Sequence, residues 1–110
     1  MINSECAIVL TTVDSESEAE KFANKILEAK LAACIQIQKI KSRYQWNGKI
    51  QRSDEYLLSI KTQADLFDEL SEFIKKNHTY ETPEILQISV TNVSNDYWQW
   101  IRKSCQIVSQ

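Results

Sequence analysis

The sequence predicts an α+β sandwich with the element order β-α-β-β-α-β and one more helix at the C-terminus. Three observations carry this. Two stretches with helical apolar spacing, around Phe22 and around Leu70, alternate with β-branched, strand-like runs. The only glycine sits in the pair Asn47-Gly48, between two strand-like arms of about thirteen residues each. At 110 residues, with one glycine and one proline where ~7% and ~5% are usual, the chain has few breaks and forms one domain, 1–110.

The elements follow in order. Cys6 to Thr12 is a short apolar run of the length of a buried strand. Ser15-Glu16-Ser17-Glu18 fits a capping box, and Ala19, Phe22, Ala23, Ile26 and Leu27 then trace one face of a helix ending near Lys30. From Ala33 to Trp46 the pattern alternates, with Ile35 and Ile37 in one phase and Ile40, Tyr44 and Trp46 in the other. The slip near Gln38-Lys39 predicts a β-bulge or bend, because strand side chains change face with period two. Asn47-Gly48 suits a type I′ turn that sets Trp46 against Lys49, and the return strand runs through Tyr56, Leu58 and Ile60 to about Lys61.

Thr62 and Asp65 suit the next helix start, followed by Leu66, Phe67, Leu70, Phe73 and Ile74 on one face and an end near Asn77-His78. Ile85, Leu86, Ile88 and Val90 make the last strand, and Ser94 leads a final helix with Tyr97, Trp98, Trp100, Ile101 and Cys105. This order is the ferredoxin-like plan, an antiparallel sheet with helices on one face. The other face is left bare. With the surplus ribbon and its aromatic tip, it offers more apolar surface than a monomer of this size hides, so a homo-oligomer is expected, the ribbon pairing with neighbouring subunits.

Composition narrows the function. Thirteen basic and fifteen acidic residues give a net charge of −2, with no basic block for nucleic acid. No apolar stretch reaches the ~20 residues of a membrane span, and Met1 to Glu5 lacks the features of a secretory signal, so a cytoplasmic protein is expected. Cys6, Cys34 and Cys105 form no C-x-x-C pair. They read as reduced thiols, the first two buried in strands and Cys105 open to solvent or core.

The segment His78-Thr79-Tyr80-Glu81-Thr82-Pro83-Glu84-Ile85 holds the only histidine and the only proline. An imidazole with carboxylates three and six residues on can bind a metal or carry a proton. Equally, a histidine and a following proline can do no more than end a helix.

Five motifs in order resemble the CutA, or divalent-cation-tolerance, family: Leu31-Ala32-Ala33-Cys34; Tyr44-x-Trp46-x-Gly48-Lys49-Ile50; Glu55 with Ile60-Lys61-Thr62; His78-x-Tyr80-Glu81-x-Pro83-Glu84; and Tyr97-x-x-Trp100-Ile101. The resemblance covers nearly the whole chain. It implies a compact, stable homotrimer with wrapped ribbons, similar to the trimer of PII-type signalling proteins, a link to tolerance of copper and other divalent cations, and no catalytic reaction. The ligands it implies for copper, a cysteine after the first strand and a histidine pair, fall here on Thr11, Asn77 and His78. His78 is therefore the metal-ligand candidate, with Glu81 or Glu84 as oxygen donors and Cu2+ or another divalent ion bound weakly.

The alternative is a trimeric sensor or adaptor that takes a small molecule, an anion included, in a cleft between subunits. Its expected lining is Trp46, Lys49, Glu55, Lys61, Tyr80, Glu81, Tyr97 and Trp100, a mixture of apolar walls and charges typical of a ligand pocket. No glycine-rich phosphate loop or organic-cofactor motif is present. Catalysis is not expected, since the chain lacks a second histidine and a nucleophile elbow.

Overall fold

A computed structural model describes residues 5–106. Four strands form one antiparallel sheet in the order β2-β3-β1-β4: β1 is Cys6–Val13, β2 Cys34–Trp46, β3 Lys49–Gln63 and β4 Leu86–Ser89. The helices are α1 (Glu16–Glu28), α2 (Phe67–Asn77) and α3 (Asn95–Ser104). This is the expected α+β, βαββαβ sandwich with an extended β2-β3 hairpin and a C-terminal helix.

Local chemistry sets the boundaries. Ser15 Oγ accepts the Glu18 amide at 3.1 Å and caps α1, as the capping box predicts. The helix stops at Glu28, not Lys30. Lys30 is left-handed (φ 57°), and the Lys30 and Leu31 amides return to the Leu27 and Ile26 carbonyls, a Schellman closure without glycine. Thr62 does not start α2. It is fully buried in β3, where its hydroxyl donates to the Leu31 carbonyl at 2.7 Å, and a 3-10 turn over Ala64–Leu66 leads into the helix instead. Ser94 Oγ caps α3 through the Tyr97 amide.

The core lies between the sheet and the helices. Val9, Leu58 and Ile60 meet Ile26, Leu70, Ile74 and Ile101, all essentially inaccessible. Cys105 belongs to this buried set, with Sγ 3.9 Å from Thr62 Oγ1, so the open alternative for its thiol is removed.

The hairpin is regular where a bulge was expected. Rungs run without interruption from Cys34↔Lys61 to Trp46↔Lys49, across the Gln38-Lys39 slip. Asn47 (φ 53°) and Gly48 (φ 73°) supply the positive φ values that the turn requires. The slip has another cause. Ile35 and Ile37 face the helices and pack against the core, whereas Ile40, Tyr44 and Trp46 face the opposite side. The apolar phase changes where the ribbon leaves the core under the helices, with no insertion in the backbone.

On that opposite side, Ile8 and Leu10 are half-buried, and Leu86 (42%) and Ile88 (47%) remain exposed in β4. Tyr97 and Trp100 of α3 are exposed as well.

Candidate functional site

β1 continues past Leu10↔Leu86, the last rung with β4, and its Thr12 carbonyl is taken by the residue that follows α2. That residue is His78. Its Nε2 lies 2.7 Å from the Thr12 oxygen, and its Nδ1 lies 3.0 Å from the Tyr80 amide nitrogen. An amide can only donate, so Nδ1 accepts; Nε2 then carries the proton and donates to the carbonyl. The ring also packs on Phe22 of α1 (centroids 5.5 Å apart) and on Tyr80 (4.6 Å). Both nitrogens are thus used by the main chain, and metal ligation through either would break one of these bonds.

The consequence of this arrangement is the placement of Tyr80. Its hydroxyl donates at 2.9 Å to Oε2 of Glu55, which projects from β3 and is only 9% exposed. Burial, reinforced by this hydrogen bond and by the Glu55 charge, pushes the Tyr80 phenol well above its ordinary range. The tyrosine stays a donor throughout the physiological range.

Tyr80 and Glu55 form part of the wall of an open cleft of 1020 Å³ between the ribbon and the segment after α2. The ribbon contributes Ser42, Arg43, Tyr44, Trp46, Ser53, Asp54 and Glu55; β1 and its exit give Thr12 and Asp14; the segment after α2 gives Tyr80 to Glu84. Five carboxylates, Asp14, Asp54, Glu55, Glu81 and Glu84, stand against one cation, Arg43. Partial burial, and then the nearby Glu55 charge, push the Glu84 carboxyl upward. Tyr44 holds Ser53 across the ribbon at 2.9 Å, which fixes one side of the cleft.

The eight residues expected in one cleft fall into separate places within the subunit. Trp46, Glu55, Tyr80 and Glu81 line it together. Lys49, Glu55 and Lys61 share a face of β3 but are spaced six residues apart, roughly 20 Å per interval at 3.3 Å per residue. Lys61 instead lies 5.6 Å from the Tyr97 ring centroid, and Tyr97 stacks on Trp100 at 5.6 Å. No single small molecule reaches both groups in one subunit. Asp14 and Asp54 were missed in sequence because nothing local marks them; only the fold brings them to the same cleft as Glu55.

A family model for the CutA1 divalent ion tolerance protein matches residues 7–104. The chain belongs to the CutA1 family. It is 40% identical over 98 residues to the chloroplastic protein CutA of Arabidopsis thaliana, a match covering 88% of this chain and 54% of that protein. It is 38% identical over 94 residues to the divalent-cation tolerance protein CutA of Pyrococcus horikoshii, covering 86% and 92%. The chain therefore spans about half the length of the plant relative and nearly all of the archaeal one. Among solved structures, CutA of Synechococcus elongatus superposes with a TM-score of 0.92 at 36% identity, covering 96% of this chain and 95% of that one. CutA1 of Oryza sativa gives 0.90 at 36%, covering 93% and 94%.

Proposed function

We propose that this CutA1 family member acts as a cytoplasmic homotrimer that binds divalent cations weakly through the carboxylates of its cleft. The observation that carries this is the acidic lining, five carboxylates to one arginine, with the Glu55 charge close enough to add to the burial that pushes the Glu84 carboxyl upward. A divalent ion relieves that repulsion. Weak binding fits the spread of the donors, since no three His, Cys, Asp or Glu side chains among the described residues converge as a metal cluster. Oxygen donors suit harder ions, and copper joins them through its generally high affinity. Glu81 and Glu84 are the donors we assign; His78 acts by positioning Tyr80.

Trimer formation is supported by the uncovered sheet face, with Leu86, Ile88, Tyr97 and Trp100 exposed and a ribbon that extends beyond the helices. A binding role is favoured over an enzymatic one because the hydrogen bonds of His78 go to Thr12 and Tyr80, leaving no His78–Glu81 acid-base pair. Calorimetric titration with Mn2+ and Cu2+ tests the assignment. Glu81→Gln/Glu84→Gln is expected to weaken binding of both, and His78→Ala to change it little; the reverse pattern sinks the carboxylate assignment.

The second reading, a trimeric small-molecule sensor or adaptor, is favoured by the aromatic walls Tyr44, Trp46 and Tyr80. A bare metal ion makes no use of them.

A further inference from the structure

We infer that His78 is a pH-sensitive latch: its neutral ring holds Tyr80 in place against Glu55, and protonation of Nδ1 expels the Tyr80 amide and frees the segment after α2. All the bonds concerned lie within one subunit, whatever occupies the cleft.

The segment has few fastenings. Residues 78–85, between α2 and β4, form neither helix nor strand. Three hydrogen bonds hold them among the described residues, and the three run in series: His78 ring to Thr12 carbonyl, Tyr80 amide to His78 ring, Tyr80 hydroxyl to Glu55. Only the middle bond requires a ring nitrogen without a proton. Nδ1 lies 3.0 Å from the Tyr80 amide nitrogen and accepts its hydrogen. Once Nδ1 carries a proton of its own, two donors face each other with no acceptor between them.

The direction of release follows from the other side of the ring. Nε2 donates to the Thr12 carbonyl in both protonation states, and in the imidazolium that bond becomes charge-assisted. The ring therefore stays on β1 and Tyr80 leaves it. The Tyr80–Glu55 bond and the ring contact at 4.6 Å then lose the main-chain anchor that aligns them. The latch is closed while the ring is neutral and opens as pH falls. Imidazole is the side chain suited to titrate between about pH 5 and 8, whereas burial and Glu55 keep the Tyr80 phenol protonated across that range.

The charged groups around the ring come from several elements. Asp14 at the exit of β1 and Glu55 on β3 both act on Tyr80, and Lys75 and Lys76 stand in the last turn of α2. α1 presents the apolar ring of Phe22, with Glu18 and Lys25 a turn away to either side. None of these side chains hydrogen-bonds the imidazole, so the Tyr80 amide alone competes with a proton for Nδ1.

Nuclear magnetic resonance of the full chain from about pH 8 to pH 5 tests the latch. Ring nitrogen shifts follow protonation of His78, and hydrogen exchange at the Tyr80 amide, corrected for its intrinsic pH dependence, follows the bond. As the ring protonates, protection of that amide is expected to fall about five- to tenfold, the equivalent of one hydrogen bond. In His78→Asn a side-chain oxygen accepts from the amide two residues on and does not titrate, so protection is expected to stay constant. Tyr80→Phe removes the Glu55 bond but keeps the amide, and is expected to respond to pH as the wild type does. A ring that protonates with no change at Tyr80 overturns the latch, as does a ring that stays neutral throughout or an undiminished response in His78→Asn. If Tyr80→Phe loses the response, the Glu55 carboxylate is the trigger and the latch is refuted. Wild type and Tyr80→Phe decide the matter even where His78→Asn fails to fold.

Discussion

Replacing His78 separates its structural work from ligand chemistry. His78→Ala removes two hydrogen bonds to main-chain groups, at 2.7 and 3.0 Å, and the ring contacts with Phe22 and Tyr80. Each hydrogen bond contributes about 1 kcal/mol net, and the ring pair adds about 0.5–1 kcal/mol. The expected loss is about 2–3 kcal/mol per subunit, large beside a typical domain stability of about 5–15 kcal/mol. In guanidinium chloride, at fixed protein concentration, this moves the midpoint down by about 0.5–1 M. His78→Phe keeps a ring but neither hydrogen bond, and is expected to lose about 2 kcal/mol. Nitrogen-15 spectra of the wild type should show protonated Nε2 and an accepting Nδ1. An unchanged midpoint in His78→Ala combined with lost cation binding would refute the positioning role and return the ring to the metal.

Further outcomes follow from the same structure. Because burial and Glu55 raise the folded-state pKa of Glu84 above its ordinary 4.5, its contribution is fully present below that value and is lost as pH rises through the higher folded value; Glu84→Gln should remove this decline in pH-dependent denaturation. Gly48→Ala meets no atom within 4 Å but keeps φ at +73°, so a cost of about 1–2 kcal/mol from backbone conformation alone is expected by denaturation, and an unchanged stability would contradict the turn geometry. If the proposed trimer uses the exposed side of β4, Ile88→Lys should shift the sedimentation coefficient from trimer towards monomer, and a persistent trimer would place the interface elsewhere. A disulfide reagent should modify half-buried Cys34 before Cys6 and Cys105, whose thiols are buried and raised in pKa; simultaneous labelling of all three in the folded chain would contradict that order.

Much of the fold was legible because its signals are local. Ser15, the Asn47-Gly48 pair and the spacing of Phe22, Ala23 and Ile26 each act over a few residues. The readings that failed depend on what lies across the molecule. The phase change at Gln38-Lys39 reflects where the ribbon leaves the core under the helices, and Thr62 turns inward to a carbonyl 31 residues away. The site was legible in outline, since Trp46, Glu55, Tyr80 and Glu81 do converge. The employment of both His78 nitrogens was not, because Thr12 lies 66 residues distant in sequence. Within one subunit Lys61 and Tyr97 stand together, away from that cleft, because six residues of strand separate Lys61 from Glu55; the cleft expected from sequence lies between subunits.

The unbroken register of the hairpin has a consequence for how order spreads through the chain. Near Ile35↔Ile60 its hydrogen bonds are sheltered by the core, whereas from Lys41↔Asp54 outward the ribbon leaves the core, and in the proposed trimer its shelter comes from neighbouring subunits. Amide exchange along β2 therefore divides one continuous ladder into two clocks: the base records opening of the domain, and the tip records departure of its neighbours. Dilution alone should speed the second clock and leave the first unchanged.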